Sequence, residues 1–371
     1  MKKELVVIGG GYGGLKLISK LKNDFHITLI DKNEEHIEQT EIHRYLAGKI
    51  DLDELTFLYE EFSHKRGIDF LQAEVSNINF EEKYVSYGEN RIKYDHLVVS
   101  TGSNTFFPKQ IQGLDQYKKD IKSLDVIKKF KSDFDQFLKD STTKRNIMIA
   151  GGGLSGIEIA IELAEKIKNK NLENNIKVTI VEQQPTILPG SNEYLINKTK
   201  EVLANLGVIC VHGEFITEVK EDKVVLGNKE QINYDLSLFV LGVSSISVPN
   251  EQNIEVNVKQ QYVVNEYFQI EPYEDAFCIG DAAQTYTPDG KYNLPTGQMA
   301  NMQAEVLAEN LINSIEDKGL VKKNLMLKGV LVDLGKKDAV GLIMNKFKIS
   351  GYVAYLLKRF TSYLHKTKFY Y

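Results

Sequence analysis

One pattern of strands and glycines occurs twice in this chain, and it restricts the fold more than any other feature. Three segments recur in the same order, 142, 151 and 140 positions apart: Leu5–Gly14 with Ile147–Gly156, His26–Asp31 with Lys177–Glu182, and Tyr94–Gly102 with Tyr234–Gly242. Such self-similarity means that the chain contains two copies of one unit. Each copy opens with a continuous apolar run, a glycine-rich turn and a helical pattern, which together indicate buried parallel strands joined by helices.

The glycine spacing predicts that each unit binds a dinucleotide. In Gly-x-Gly-x-x-Gly the first glycine allows a tight turn, the second lets backbone approach a pyrophosphate, and the third lets the helix pack on the strand. The predicted residues are Gly9, Gly11, Tyr12, Gly13 and Gly14 in the first unit, and Gly151, Gly153, Leu154, Ser155 and Gly156 in the second. Asp31 (followed by Lys32) and Glu182 end the next strand, where an acid accepts hydrogen bonds from ribose hydroxyls. We therefore predict an α/β fold with two Rossmann-like dinucleotide-binding domains.

Two dinucleotide sites imply two dinucleotides, and the economical pairing is FAD with NADH, because a hydride donor belongs with a carrier that accepts hydride. Ala276–Ile279 reads as a strand that runs into Gly280, Asp281 and Ala282, where the aspartate can bind a ribityl chain. The next helix is expected to begin near Leu294. In the helix that follows the second glycine turn, α-helical spacing places Glu162 and Glu165 outward.

The charge of the chain is unevenly distributed. The net charge is −5, but residues 336–371 carry eight basic side chains and one acid, so the rest carries −12. An acidic body does not suggest a nucleic-acid partner. Between Tyr352 and Leu364 the apolar residues follow a helical period, with Lys358, Arg359 and Lys366 on other faces and Tyr370–Tyr371 at the end. We expect an amphipathic helix in the plane of a membrane surface. A helix docked on the protein's own core or in a dimer interface is the alternative, and a homodimer is left open.

The sequence gives no reason to expect a membrane span, an export signal or a metal. No apolar run approaches the ~18 residues that a spanning helix needs, and the N-terminal apolar run is too short for a signal peptide, which predicts the cytoplasm. Cys210 and Cys278 form no CxxC and are expected to be buried structural thiols. The histidines at 36, 43, 64, 96 and 212 lack metal-ligand spacing and are interpreted as ordinary core or surface residues.

The duplicated pattern resembles the two-dinucleotide flavoproteins and, among them, the type II (non-proton-pumping) NADH:quinone oxidoreductases. Three further segments, Gln39–Gly48, Pro295–Ala300 and Gly329–Gly341, carry this narrower resemblance. It implies a peripheral enzyme on the cytoplasmic face of the membrane that passes hydride from NADH to FAD and two electrons to a membrane quinone. Two alternatives are a soluble NADH-dependent reductase of ferredoxin or rubredoxin, and a non-catalytic FAD-binding redox sensor.

The resemblance also implies roles for individual residues. For FAD, it implies Asp281 at the ribityl chain, Thr101 and Gly102 along the domain, and backbone near Val75 at the adenine. Gly242 is placed at the NADH site. Glu158 matches a family glutamate assigned to proton delivery, although an acid near a helix N-terminus is also favoured by the dipole alone.

The quinone contact implied by the resemblance departs from the family at one position. Gln298 matches a glutamine that contacts quinone and nicotinamide. The family's second glutamine, four residues later, is replaced by Met302, with Gln303 beside it. Residues at i and i+4 share a helix face, whereas i and i+5 do not. A thioether at 302 can still pack against the ring.

We predict the following division of the chain: 1–115 as the first part of the FAD domain, 116–264 as the NADH domain, 265–328 as the second part of the FAD domain, and 329–371 as a membrane-associating region.

We predict that NADH is preferred over NADPH, because the Glu182 carboxylate would repel the 2′-phosphate of NADPH. Comparison of kcat/KM for the two nucleotides checks this, and a preference for NADPH would contradict it.

Overall fold

The fold is described from a computed structural model, which covers residues 2–21, 24–140 and 142–370, with side chains described as far as Tyr363. The strands of the first unit are β1 (Lys3–Ile8), β2 (Phe25–Asp31), β3 (Glu35–Ile37), β4 (Thr56–Leu58), β5 (Asp69–Gln72), β6 (Val75–Asn79), β7 (Tyr84–Tyr87), β8 (Asn90–Lys93), β9 (His96–Val99) and β10 (Ser103–Thr105). Its helices are α1 (Tyr12–Lys20), α2 (Ile42–Leu46), α3 (Leu52–Leu55), α4 (Tyr59–Arg66) and α5 (Leu114–Tyr117).

The second unit follows without interruption. Its helices are α6 (Leu124–Phe137), α7 (Leu154–Asn169) and α8 (Glu193–Asn205). Its strands are β11 (Arg145–Ala150), β12 (Ile176–Glu182), β13 (Ile209–His212), β14 (Ile216–Val219), β15 (Lys223–Leu226), β16 (Gln231–Asn233), β17 (Leu236–Phe239) and β18 (Val243–Ser245).

The remaining elements are β19 (Tyr262–Val263), β20 (Gln269–Ile270), β21 (Tyr273–Cys278), β22 (Ala283–Gln284), α9 (Gly297–Ile315), β23 (Gly329–Asp333), β24 (Ala339–Ile343), β25 (Phe347–Ser350) and α10 (Tyr352–Tyr370).

The sheets confirm the predicted fold class. The parallel order β9-β1-β2-β5 in the first unit matches β17-β11-β12-β13 in the second. Each unit adds a three-stranded antiparallel sheet, β6-β7-β8 or β14-β15-β16. β21 then pairs with β9, so the chain returns to the first sheet after completing the second. The strands β1 and β11 are buried where they enter the glycine turns, as expected for parallel sheets covered on both faces.

The two units are joined by a symmetric antiparallel ribbon. β10 and β18 follow the third repeated segment of each unit, and they pair with each other. The central pair, Asn104 with Ser244, consists of equivalent residues of the duplication. Each strand is entered through a glycine with positive φ, +69° at Gly102 and +99° at Gly242, a conformation that favours glycine. A local twofold axis therefore relates the two strands of this ribbon.

Two local predictions are wrong. Glu162 and Glu165 of α7 are buried (1% and 6% exposed) rather than outward. The Lys49 ammonium lies 2.7 Å from Glu162 and 2.8 Å from Glu165, so contacts distant in sequence cover this face of the helix. The helix expected near Leu294 begins at Gly297, because the Thr296 hydroxyl caps it by accepting from the Met299 N–H at 3.2 Å.

The tail forms the predicted helix, but its basic residues do not lie where the prediction placed them. Its apolar stripe lies on the outside, at Tyr352, Val353, Leu356, Phe360 and Tyr363. Lys358 (8% exposed) and Arg359 face inward, so they are not the lipid-facing charges that we expected. The side chains of Leu364, Lys366 and Tyr370, and the whole of Tyr371, lie outside the described part of the tail. None of the described helices is both long and apolar enough to cross a membrane.

Candidate active site

The first glycine turn leaves open space only at its middle glycine. Gly9 has φ +100°, and a Cβ there would lie 2.4 Å from the Ser100 carbonyl oxygen. A Cβ at Gly14 would lie 2.2 Å from the Gly9 carbonyl oxygen. A Cβ at Gly11 would meet nothing within 4 Å. Close packing thus requires Gly9 and Gly14, while Gly11 faces the space that a pyrophosphate would need.

The second glycine turn repeats this geometry. Gly151 has φ +115°, and a Cβ there would lie 2.1 Å from the Val240 carbonyl oxygen. A Cβ at Gly156 would lie 2.1 Å from the Gly151 carbonyl oxygen, whereas one at Gly153 would meet nothing within 4 Å. Neither α1 nor α7 has an acid in its first turn, so the positive end of each helix keeps its attraction for a phosphate.

The two strand-end acids make equivalent contacts. Asp31 accepts the Gly10 N–H at 2.8 Å with one oxygen and the Asn33 N–H at 2.9 Å with the other. Glu182 accepts the Gly152 N–H at 2.7 Å and the Gln184 N–H at 2.8 Å in the same way. Each carboxylate is fixed beside its glycine turn, and its oxygens retain lone pairs for ribose hydroxyls.

One continuous cavity of about 2870 Å³ connects both turns. Ligand pockets for single drug-sized molecules measure roughly 300–1,000 Å³, so this volume suits two dinucleotides. Predicted site residues that line it are Gly9, Gly11, Tyr12, Gly13, Asp31, Lys32, Val75, Thr101, Gly102, Gly280, Asp281, Gly151, Gly153, Leu154, Ser155, Glu158, Glu182, Gly242, Gln298 and Met302. Gly14, Gly156 and Ala282 lie behind its wall, where the glycines allow close packing and Ala282 is fully buried.

Helix α9 directs Gln298 and Met302 to the cavity but Gln303 to another face. Gln298 is exposed at the cavity, and its Oε1 accepts the Lys328 N–H at 2.6 Å. Met302 also lines the cavity. Gln303 is buried on another face, where it accepts the Gly280 N–H at 2.7 Å and donates to the Thr285 hydroxyl at 2.9 Å. Gln303 therefore supports the Gly280–Asp281 turn and does not replace the family glutamine.

Glu158 lies in a buried group of charged residues. The residue is only 5% exposed, and its Oε1 accepts the Asp333 N–H at 2.8 Å and is bound by the Lys358 ammonium. His43 Nδ1 lies 3.8 Å from Glu158 Oε2, and His43 Nε2 lies 3.4 Å from Asp333 Oδ2. The carboxylate that was predicted to deliver protons thus has a cationic partner from the tail and an imidazole nearby.

Arg359 adds a second residue of the first unit, Glu41, to this group. It lies 3.0 Å from Asp333 and 3.0 Å from Glu41. Burial alone would raise the pKa of Asp333, but the His43 hydrogen bond and the charges of the two tail cations outweigh it and hold this pKa well below its usual value. Burial also opposes ionisation of Glu41, yet Arg359, together with Arg44, lowers its pKa overall. We call Glu41, His43, Glu158, Asp333, Lys358 and Arg359 the junction cluster.

Part of this region also has the spacing of a metal site. Ligand atoms of His43, Glu162 and Asp333 lie within 4.8 Å of one another. Lys49 pairs with Glu162, and Arg359 pairs with Asp333, so both carboxylates already have cationic partners. Nothing in this arrangement requires a metal ion.

Sequence reasoning missed most of the junction cluster. His43 was interpreted as an ordinary histidine and the tail cations as lipid-facing, and Asp333 received no role. The contacts join residues that are 290 positions apart for His43 and Asp333, and 200 apart for Glu158 and Lys358. Charged residues inside otherwise apolar helical or strand segments were the available signal.

Comparisons with known proteins agree with this geometry. A family model described as pyridine nucleotide-disulphide oxidoreductase matches residues 3–304. The chain is 29% identical, over 388 aligned positions, to type II NADH:quinone oxidoreductases of Staphylococcus aureus, including those of strains MSSA476 and NCTC 8325 / PS 47. These matches cover 96% of this chain and 94% of each relative.

Solved structures share the fold over almost the whole chain. NDH2 from Plasmodium falciparum, determined in complex with NADH, has a TM-score of 0.87 at 17% identity and covers 100% of this chain and 97% of that one. The sulfide:quinone oxidoreductase of Aquifex aeolicus has a TM-score of 0.85 at 19% identity, covering 99% and 91%. At such identities the likeness shows the fold.

Alanine at the second glycine of the NADH turn should affect NADH binding, whereas alanine at the third should affect stability. Gly156→Ala places a Cβ against the Gly151 carbonyl, and we expect it to destabilise the protein by about 1–3 kcal/mol. Gly153→Ala has an ordinary φ of −72° and open space. It should leave stability within about 0.5 kcal/mol but weaken NADH binding, because its methyl group enters the ligand space. Thermal unfolding and NADH titration of both variants measure this. Equal destabilisation by both variants would contradict the prediction.

Proposed function

The chain belongs to the pyridine nucleotide-disulphide oxidoreductase family, and we propose that it is an FAD-dependent NADH:quinone oxidoreductase of the type II class. The single observation that carries this proposal is the continuous cavity. It joins two dinucleotide turns to Glu158, Gln298 and the inner face of α10. Similarity to type II enzymes over nearly the full length supports the same acceptor.

The chain's residues bind and orient the two dinucleotides. The first turn, with Asp31 and Asp281, would hold FAD, and the second turn, with Glu182, would hold NADH. Bound FAD would accept hydride from NADH and pass two electrons onward. The Glu182 carboxylate already accepts two backbone N–H groups, which fixes an acid where NADPH would carry its 2′-phosphate.

The quinone end of the cavity is formed by α9 and α10. Gln298 and Met302 line it from α9, and Leu357, Lys358 and Thr361 line it from α10. We propose that Glu158 supplies a proton during quinone reduction. Its Oε1 is bound by Lys358 and the Asp333 N–H, whereas its Oε2 faces His43. Lys358 thus gives the Glu158 carboxylate a partner at the quinone end of the cavity. An acid that only stabilised the helix dipole would not need this partner.

The predicted domain division is also part of the proposal. The segment between β10 and α6 is the connector between the two units. Phe239 of β17 donates its N–H to the Lys119 carbonyl, so this connector joins the edge of the second sheet soon after residue 116. The pairing of β21 with β9 supports a return to the FAD domain after about residue 265. β23, β24 and β25 form a separate sheet that packs with α10, which supports a distinct region from 329 onward.

We propose that α10 binds the cytoplasmic face of a membrane through its outer face. Tyr352, Val353, Leu356, Phe360 and Tyr363 are each about half to two-thirds exposed on one side of the helix. A contiguous exposed apolar face marks an interaction site. A quinone with a long tail stays in the bilayer, so a membrane-facing helix beside the cavity suits this acceptor. A second copy of the chain is the alternative occupant of this face.

The other functions considered are less well supported. Oxidation of sulfide at the flavin would need a cysteine pair there. Cys278 is buried in β21, Cys210 lies in β13, and neither lines the cavity. Burial raises the pKa of both thiols, which makes them poor nucleophiles. A soluble reductase of an iron protein or a passive FAD sensor would not need an apolar helix face beside the cavity.

The direct test is oxidation of NADH by the purified protein with a short-chain quinone, ferricyanide or an iron protein as acceptor. Fast quinone-dependent turnover is the expected result. Turnover that needs the iron protein would contradict the quinone assignment, and failure of NADH to reduce bound FAD would contradict the dehydrogenase assignment.

Glu158→Gln should slow quinone reduction by about tenfold or more, because general acid catalysis commonly contributes 10²–10⁴-fold. Ferricyanide accepts electrons without protons, so NADH:ferricyanide turnover should change little. Glu201→Gln, at an exposed position of α8, is the matched control. Equal slowing with both acceptors would contradict a role in proton delivery, and so would unchanged quinone turnover.

Serine at Val353, Leu356 and Phe360 together should release the protein from anionic phosphatidylglycerol vesicles. Each apolar side chain contributes about 1.5–3 kcal/mol when buried, so we expect vesicle binding to weaken roughly hundredfold or more. Because Lys358 and Arg359 face inward and are unchanged, turnover with a soluble quinone should persist. Truncation of the tail would remove these cations and confuse the two effects.

The matched control for this membrane test is serine at the exposed positions Ile209 and Val258 of the NADH unit. Undiminished vesicle binding by the triple variant would contradict the membrane face. Loss of a dimer in sedimentation, with vesicle binding unchanged, would instead assign this face to a second copy of the chain.

A further inference from the structure

Lys122 places an ammonium in the wall of the cavity, outside both glycine motifs. It lies in the connector between the units, just before α6, and lines the cavity together with Ser103, Asp120 and Asp281. Its Nζ donates to the Ser103 hydroxyl at 2.9 Å and to the Ser103 carbonyl. An ion pair requires a carboxylate oxygen within 4.0 Å of the ammonium nitrogen. Among the described residues, no carboxylate lies that close to Lys122 Nζ.

Ser103 links Lys122 to the predicted ribityl-binding aspartate. The Ser103 hydroxyl donates to Asp281 Oδ2 at 2.6 Å. A hydroxyl has one proton to donate, so it gives that proton to Asp281 and accepts from Lys122 with a lone pair. The Ser245 hydroxyl donates to the Asp281 carbonyl from the other strand of the ribbon. The ammonium, the hydroxyl and the carboxylate therefore form one oriented chain.

The ammonium still has one N–H to donate. Lys122 carries three N–H donors, and Ser103 accepts two of them. Burial lowers the pKa of Lys122, while the more distant Asp281 and Asp120 oppose this change. A partly buried cation with a free donor is stabilised by an acceptor or anion in the space that it faces. In this wall, that space is the cavity.

The neighbours of Lys122 assign this space to FAD. Ser103 directly follows Thr101 and Gly102 of the FAD unit, and Asp281 belongs to the Gly280–Asp281 turn of the same unit. We propose that Lys122 is an FAD-binding residue, whose ammonium contacts the cofactor beside Asp281 and whose positive charge favours the reduced cofactor. This inference rests on the FAD site of the proposed function and adds a residue that the glycine motifs do not supply.

The proposal predicts two effects of the charge. A charge-assisted hydrogen bond to the cofactor strengthens FAD binding more than a neutral bond would. A nearby positive charge also stabilises the negative charge that a redox group gains when it accepts electrons. Removal of the ammonium should therefore loosen FAD and make its midpoint potential more negative. A role limited to holding Ser103 in place would not make the potential follow the charge at position 122.

The experiment compares Lys122→Met, Lys122→Gln and Lys122→Arg holoenzymes. FAD release on dilution is followed by fluorescence, and the midpoint potential by equilibration with a redox dye. We expect FAD to bind about tenfold or more weakly in the Met and Gln variants, with a more negative potential in both. Arginine keeps the charge and should stay near the wild type in both measurements. Lys129→Met, at an exposed position of α6, is the matched control and should change neither.

The outcomes separate this inference from the proposed function. FAD affinity and potential unchanged in Lys122→Met and Lys122→Gln would overturn the role of Lys122 and leave the proposed function intact. A potential that shifts equally in the Arg and Gln variants would also overturn it. A wild-type protein that binds no FAD would overturn both. Circular dichroism and thermal unfolding identify any variant that misfolds, and the comparison of Arg with Gln then carries the test.

Discussion

The structure depends on the matching of buried charges in the junction cluster. A buried charge that loses its partner commonly costs about 3–5 kcal/mol, so these groups must be brought together for the fold to be stable. They come from four parts of the chain: Glu41 and His43 from the first unit, Glu158 from the second, Asp333 from β23, and Lys358 and Arg359 from α10. The same contacts fix α10 against the cavity. The ion pairs of the junction cluster thus determine both how these four parts of the chain pack together and where α10 closes the candidate active site.

This arrangement reverses the usual use of an amphipathic helix. A surface helix normally buries its apolar stripe against the core and exposes its charges. α10 buries Lys358 and Arg359 against carboxylates and leaves Leu356 and Phe360 in contact with solvent. Exposure of an apolar face to water is unfavourable in free energy, and this cost is removed only when a further partner buries the face. A membrane that holds the electron acceptor would satisfy this face and lie next to the cavity.

Duplication explains why two dinucleotide sites meet in one cavity. The ribbon of β10 and β18 pairs equivalent segments of the two units, so each unit directs its third repeated segment towards the other. Asp281 adjoins this ribbon and accepts hydrogen bonds from Ser103 on one strand and Ser245 on the other. The position of a cofactor held at Asp281 would therefore depend on both units. The position of Lys122 beside Ser103 makes the connector part of this wall.

The sequence by itself determined the two α/β units, their glycine turns, the strand-end acids and a helical tail, because these depend on local spacing and on steric limits that hold in any fold. Gly9 and Gly14, for example, are required by backbone atoms within their own turn or in the adjacent strand. The direction in which side chains face was predicted poorly: Glu162, Glu165 and Lys358 are buried, and the side chain of Arg359 is only 16% exposed. Periodicity divides a helix into faces but does not show which face meets a partner. Only the tertiary structure decided that, because charges distant in sequence, 116 positions apart for Lys49 and Glu165 and 200 for Glu158 and Lys358, compensate one another through space.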